Sequence, residues 1–257
     1  MSLPRFLVAP AALSGPHAVL TGAQLRHLRA RRLRTGSKLV LADGAGRQRC
    51  GVVICVDRHQ AVIQMANDES AQRDSPLHLT LAQALLKSDK LDWVIEKGTE
   101  LGVSEFVLFS CERTVSRPAG DRSARWTRLA HSAAQQCQRS RLPSITGPVS
   151  FEDVILHRRE ALRLLFWEQA QPEGLTEAHR QHPDTSSVLA VIGPEGGFST
   201  ADAQRAAAAG LQLVGLGPRI LRAETAAVAA VSVCQLLWGD LGQSSPGAGG
   251  RPGLLKA

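Results

Sequence analysis

Two apolar runs, each breaking into a glycine- and proline-rich turn and then a helix start, limit what this 257-residue chain can fold into. The first is Val191-Ile192-Gly193-Pro194-Glu195-Gly196-Gly197-Phe198-Ser199. The second is Leu216-Gly217-Pro218-Arg219-Ile220-Leu221-Arg222-Ala223-Glu224-Thr225-Ala226. A strand, a tight turn and a helix, repeated one strand later, is the unit of an α/β domain. Such turns expose peptide N–H and C=O groups with little side-chain bulk in the way. Neither is a GxGxxG fingerprint or a GxxxxGKS/T phosphate loop, and the chain has no HExxH or GxSxG motif. A turn that binds nothing accounts equally well for the first segment alone. Its repetition at the end of the next strand points to a ligand pocket.

The same alternation extends back to Pro76. Strands are predicted over 77–86, 105–110, 162–167, 188–192 and 211–216. A helix capped by Ser88 carries Leu91, Val94, Ile95 and Leu101, with Gly102 placed to end it. Further helices are predicted over 122–138, from near Pro172, from Ser199 with Asp202 completing a capping box, and over 224–237. Alternating β and α implies a mostly parallel sheet covered by helices. Residues 5–65 read instead as short β-strands, with Asp43-Gly44 as a hairpin turn, and suggest a small barrel. A polar linker follows over 66–76, and the Gly/Pro/Ser-rich stretch 243–257 reads as a disordered tail. No internal repeat is visible.

Composition narrows the function classes. No run approaches the ~18 apolar residues of a membrane helix, and Met1–Phe6 lacks the apolar core of a signal peptide, so a cytoplasmic protein is expected. The five cysteines form no CxxC pair and imply neither a zinc site nor a disulfide framework; buried reduced thiols are expected. The net charge of +7 is carried mostly by arginine and is clustered. Residues 23–42 hold Arg26, Arg29, Arg31, Arg32, Arg34 and Lys38 with no acid. Residues 122–148 hold Arg122, Arg125, Arg128, Arg139 and Arg141, again with none. A solvated face is one reading of these runs; a polyanion partner is the favoured one.

Arg222 stands out chemically. A cation at a helix start opposes the helix dipole, so a structural motive for it is weak and an anionic substrate is a natural partner. Glu224 and Thr225 suit a helix N-terminus, and simple capping roles are open to both.

The two turns, together with Asp89-Lys90-Leu91-Asp92-Trp93-Val94-Ile95-Glu96-Lys97-Gly98-Thr99-Glu100-Leu101-Gly102-Val103, Cys111-Glu112-Arg113-Thr114-Val115 and Arg139-Ser140-Arg141-Leu142-Pro143, resemble one family. It is the RsmE-type 16S rRNA uridine N3-methyltransferases of the SPOUT superfamily. The likeness runs from about Arg5 to Gly239. Two places depart from the pattern: Gln138 stands where the family has a glycine, and Ala30-Arg31-Arg32 replaces a more apolar segment.

The resemblance implies an α/β fold: a C-terminal SPOUT domain with a deep trefoil knot (residues 76–240), preceded by a PUA-like β-barrel that binds RNA (1–70) and followed by the tail (241–257). It implies a homodimer that binds S-adenosylmethionine and methylates a uridine of the 30S ribosomal subunit, with no metal and no membrane partner. The cofactor residues by match are Leu165, Phe166, Gly193, Pro194, Glu195, Gly196, Gly197, Leu216, Gly217, Ile220, Leu221 and Thr225. Those expected to meet RNA are Arg5, Arg26, Arg29, Arg31, Arg32, Arg113, Arg139 and Arg141. Uracil N3–H must lose its proton, so Arg222 is the candidate to stabilise the anion, and Glu195 or Glu224 to accept the proton. Another RNA target, such as a tRNA ribose 2′-hydroxyl, and a non-catalytic ribosome-assembly factor are the alternatives.

Overall fold

A computed structural model describes residues 3–69, 74–116, 122–170 and 174–243. The chain divides into two compact units, one of residues up to Asp74 with Gln135–Arg141, the other of Ser75–Ala134 and Leu142–Gly242. From residue 244 onward the expected tail lies outside the described residues. Among the described residues no helix is long and apolar enough to cross a membrane.

The first unit is built on β1 (Arg5–Leu7), β2 (His17–Leu20), β3 (Lys38–Ala42), β4 (Gln48–Val56) and β5 (Ala61–Glu69), in the sheet order β1-β3-β4-β5-β2. β1 runs parallel to β3 and the remaining pairs are antiparallel. Strand alternation turns Leu39 and Leu41 into a core with Phe6, Leu20, Val53 and Ile63. At the β3–β4 connection Asp43 Oδ1 accepts from the N–H groups of Ala45 (2.8 Å) and Arg47 (3.0 Å), and Gly44 takes φ +77°. The predicted turn forms by this Asx geometry.

Three expectations are corrected here. Helix α1 (Gly22–Ala30) interrupts the predicted all-β stretch. Leu25 and Leu28 are buried at helical spacing while Arg26 and Arg29 face outward. Two buried leucines in nine residues are a weak signal beside the β-branched strands. The polar linker begins later than predicted, because β5 continues to Glu69. The cysteines are all free, but only Cys234 is buried, and burial pushes its thiol up to about 12; Cys55 is exposed.

Two arginines expected to meet RNA lie in the interior of this unit. Arg5 and Arg139 are each only 6% exposed. Arg139 Nε donates to Asp74 Oδ1 at 3.3 Å, and Asp74 also accepts from the Ser140 hydroxyl and from the Arg141 N–H at 3.1 Å. Asp74 thus pins the Arg139-Ser140-Arg141 segment, and the Arg139 charge is neutralised inside the protein. Just before it, Gln138 has φ +68°. An L residue in the left-handed region carries about 1–2 kcal/mol of strain that glycine avoids. The glycine of the family pattern therefore has a conformational reason. Gln138→Gly is expected to raise stability by ~0.5–1 kcal/mol and the Tm by ~1–4 °C. An unchanged or lower Tm in a thermal melt would show that the Gln138 side chain is worth as much as the strain.

The second unit alternates β6 (His78–Ala84), α2 (Ser88–Glu100), β7 (Glu105–Ser110), α3 (Ser123–Cys137), β8 (Ser144–Ser150), α4 (Phe151–His157), β9 (Leu162–Phe166), α5 (Gly174–Gln181), β10 (Ser187–Ile192), α6 (Thr200–Ala208), β11 (Gln212–Val214) and α7 (Ala223–Trp238). The sheet is parallel throughout, in the order β11-β9-β10-β6-β7-β8. Period-two alternation gives it two apolar faces. Val188, Ala190 and Ile192 join Val94, Phe106 and Val231 on one side; Leu189 and Val191 join Phe109, Phe151 and Phe198 on the other.

Lys87, not Ser88, is the N-cap of α2. Gly102 ends that helix with φ +91°, as predicted. β8 and α4 were not predicted. Gly147-Pro148 reads as a turn, yet β8 is the last strand of the sheet order, where proline is tolerated because one edge needs no donor.

A candidate cofactor site at the strand ends

β10 sits between β9 and β6, and β11 lies outside β9. The segments that leave β9, β10 and β11 therefore emerge side by side at the carboxyl edge of the sheet, where parallel α/β folds bind ligands. They enclose a cavity of about 400 Å³. Phe166, Trp167 and Glu168 line it from β9, Ile192–Phe198 from β10, and Leu216, Gly217, residues 219–223 and Ala226 from β11 and α7. Lys90 of α2 completes the wall.

The first glycine turn is held from several directions. Gly197 N–H donates to Pro194 O at 2.9 Å, with φ +66° at Gly197. The buried Gln83 Nε2 donates to Gly193 O at 3.3 Å. Arg113 Nη1 donates to Gly196 O (3.2 Å) and Phe198 O (3.4 Å). After the turn, Ser199 and Asp202 cap α6 reciprocally. Burial pushes the Asp202 carboxyl up, but the Ser199 N–H and hydroxyl and Arg205 outweigh it and hold the group below the ordinary carboxylate range.

Most residues predicted from the sequence meet here: Phe166, Gly193, Pro194, Glu195, Gly196, Gly197, Leu216, Gly217, Ile220, Leu221 and Arg222 all line the cavity. Three do not. Leu165 is fully buried among the apolar residues of the opposite sheet face, because adjacent residues of a strand point apart. Thr225 is exposed and lies outside the lining. Glu224 also lies outside it but reaches the wall through Lys90, whose Nζ is 3.4 Å from Glu224 Oε2 and 3.9 Å from Glu195 Oε1. Arg113, expected to meet RNA, is exposed and donates to the glycine-turn carbonyls. Lys90, Trp167, Glu168, Ile192, Phe198, Arg219, Ala223 and Ala226 also line the cavity and were not among the predicted site residues; Lys90 was missed because it is far away in sequence.

Arg222 is the N-cap residue of α7, in extended backbone with no side-chain cap. It is exposed, and its guanidinium has no hydrogen bond or ion pair among the described residues. The cavity suits an organic cofactor. Its volume is in the usual range of ~300–1,000 Å³, and its walls are mixed apolar and polar. Trp167 contributes to the wall, while its Nε1 is buried without a hydrogen-bond partner among the described residues. Among the described residues no group of three or more His, Cys, Asp or Glu is placed to hold a metal ion.

On the first unit, Arg26, Arg29, Arg31 and Arg32 are all exposed on or just after α1. Arg29 Nη2 donates to Asp57 O at 2.6 Å, and Arg31 Nε donates to His27 Nε2 at 2.7 Å. Burial and then the Arg31 charge lower the His27 pKa, consistent with that acceptor nitrogen being unprotonated. Arg141 is exposed as well.

Fold and site have the form of a cofactor-binding α/β enzyme, and a family model described as "RNA methyltransferase domain" matches residues 73–235. The protein class is that of RNA methyltransferase domains. A Synechocystis sp. protein named "Ribosomal RNA small subunit methyltransferase E" is 34% identical over 89% of this chain and 76% of its own length. One of the same name from Bacillus subtilis is 30% identical over 88% of this chain and 93% of its own. The crystal structure of a ribosomal RNA small subunit methyltransferase E from Neisseria gonorrhoeae bound to S-adenosyl methionine superposes with a TM-score of 0.82 at 31% identity, covering 93% of this chain and 99% of that one. The chain belongs to the ribosomal RNA small subunit methyltransferase E family.

Proposed function

We propose that this protein transfers the methyl group of S-adenosylmethionine to N3 of a uridine in 16S ribosomal RNA of the 30S subunit. The observation that carries the reading is Arg222, an exposed guanidinium without a partner among the described residues, in the lining of the glycine-turn cavity. When bound, the cofactor supplies a methyl group already activated by its sulfonium. Uracil N3–H is a weak acid whose anion spreads charge onto O2 and O4. Arg222 offers that anion two parallel donors. Glu195 lines the cavity and stands farther from Lys90 than Glu224 does, so it is the favoured proton acceptor and Glu224 the alternative.

Supporting observations extend to the finer architecture. α7 packs on β6 and β10 after the chain leaves β11 at the far side of β9, a path that supports a knot around the glycine turns. Leu236 on α7 and Trp93 on α2, 60% and 41% exposed, support a second copy of the chain as partner. The β-rich first unit with its exposed arginines supports a PUA-like RNA-binding domain. A ribosomal substrate implies a cytoplasmic setting.

The test is methyl transfer from labelled cofactor to 30S particles, naked rRNA and tRNA. Label in the 30S subunit or its rRNA supports the reading. Label in tRNA ribose redirects it to another RNA, and cofactor binding without any transfer leaves a non-catalytic factor.

The α1 arginines give a separate expectation. Neutralising Arg29, Arg31 and Arg32 together is expected to weaken RNA binding. Each phosphate that these side chains no longer neutralise flattens the slope of log affinity against log salt by ~0.7–0.9. A salt titration with an unchanged slope would leave this run as solvated surface.

A further inference from the structure

We propose that Glu168 recognises the amino-acid end of the cofactor, accepting hydrogen bonds from its α-ammonium group. This rests on the reading that S-adenosylmethionine occupies the glycine-turn cavity. Three carboxylates stand in or beside that cavity. Glu195 and Glu224 both lie within 4 Å of the Lys90 ammonium, at 3.9 and 3.4 Å. Glu168 has no hydrogen bond or ion pair among the described residues, yet it lines the same space. It is exposed, and among the described residues it is the lining carboxylate with no cation within ion-pair distance.

Its position is set by the glycine turn. A Cβ on Gly197 would stand 3.2 Å from Glu168 Oε1, so the carboxylate lies directly over the turn. Its two oxygens are free to accept from an ammonium group, which carries donors only. The segment after β11 contributes Arg219 and Arg222 to the lining, and these would repel an ammonium. A cationic group entering the cavity therefore finds its complement at Glu168.

Calorimetry on the full-length protein with three ligands tests this. S-adenosylmethionine and S-adenosylhomocysteine both carry the α-ammonium, and only the first carries the sulfonium. 5′-Methylthioadenosine carries neither. Glu168→Gln keeps the shape and removes the charge. The expected result is a ~10- to 100-fold loss of affinity for both amino-acid-bearing ligands, with 5′-methylthioadenosine unchanged. Glu168→Asp is expected to restore part of the loss. An equal loss for all three ligands would mean that Glu168 only shapes the loop and would overturn the proposal. So would no loss, or a loss confined to S-adenosylmethionine, which would place the carboxylate at the sulfonium. If the unaltered protein binds none of the three, the cofactor reading itself falls.

Discussion

Arg222→Ala is expected to lower single-turnover methyl transfer by ~10²-fold or more while leaving cofactor affinity nearly unchanged. The expectation follows from what the guanidinium does not do. It caps nothing, pairs with nothing among the described residues, and sits at the start of α7, where a cation is locally unfavourable. Removing it therefore costs the fold little. The cofactor's sulfonium is cationic and gains nothing from a nearby arginine, whereas a uracil anion gains most at the moment its charge develops. Arg222→Lys is expected to rescue only partly, since an ammonium lacks the planar two-donor fork. Arg219 lines the same wall and offers a control: its loss is not expected to mimic that of Arg222 in rate. Single-turnover transfer to 30S particles, measured beside cofactor binding, decides the matter. A retained rate would reduce Arg222 to a phosphate or loop contact.

Gly196→Val is expected to lower cofactor affinity by ~10²-fold or more in a protein that stays folded. A Cβ at Gly196 would already stand 3.3 Å from Arg113 Cβ and 3.4 Å from Arg113 O, and valine adds two methyl groups. Arg113 must then give way, and it is the residue that ties down Gly196 O and Phe198 O. The turn shifts into the cavity it borders. Gly196 is exposed, so the core keeps its packing and the melting transition is expected to persist. Unchanged affinity in a folded Gly196→Val protein would place the pocket elsewhere.

How much of this was legible in the sequence depended on how local the signal was. Strand–turn–helix repeats announce themselves within ten residues. β7 and β10 lie within a residue of their predicted bounds, and the Ser199/Asp202 capping box formed as read. Charge was less legible. Residues 122–148 hold no acid, yet Arg125 Nε finds Asp92 at 2.8 Å and Arg139 finds Asp74, acids supplied from other parts of the chain. An acid-free run in sequence is therefore not an acid-free surface. The same limit hid Lys90, which the fold brings to carboxylates over 100 residues away. The placement of Leu165 was not legible for a simpler reason: alternation along β9 gives the Phe166 side chain to the cavity and that of Leu165 to the far face. Family likeness points to the strand end as a whole, and only the pleat tells the two side chains apart.

Mapping the methylated nucleotide tests the central claim most directly. Small subunits lacking the modification would be incubated with the purified protein and S-adenosylmethionine, and the 16S rRNA digested and sequenced by mass spectrometry. The expected result is a single added methyl on the base of one uridine, at N3, where it blocks Watson–Crick pairing and stops reverse transcription. A methyl on a ribose 2′-hydroxyl, on a different base, or on no nucleotide of the small subunit would contradict it.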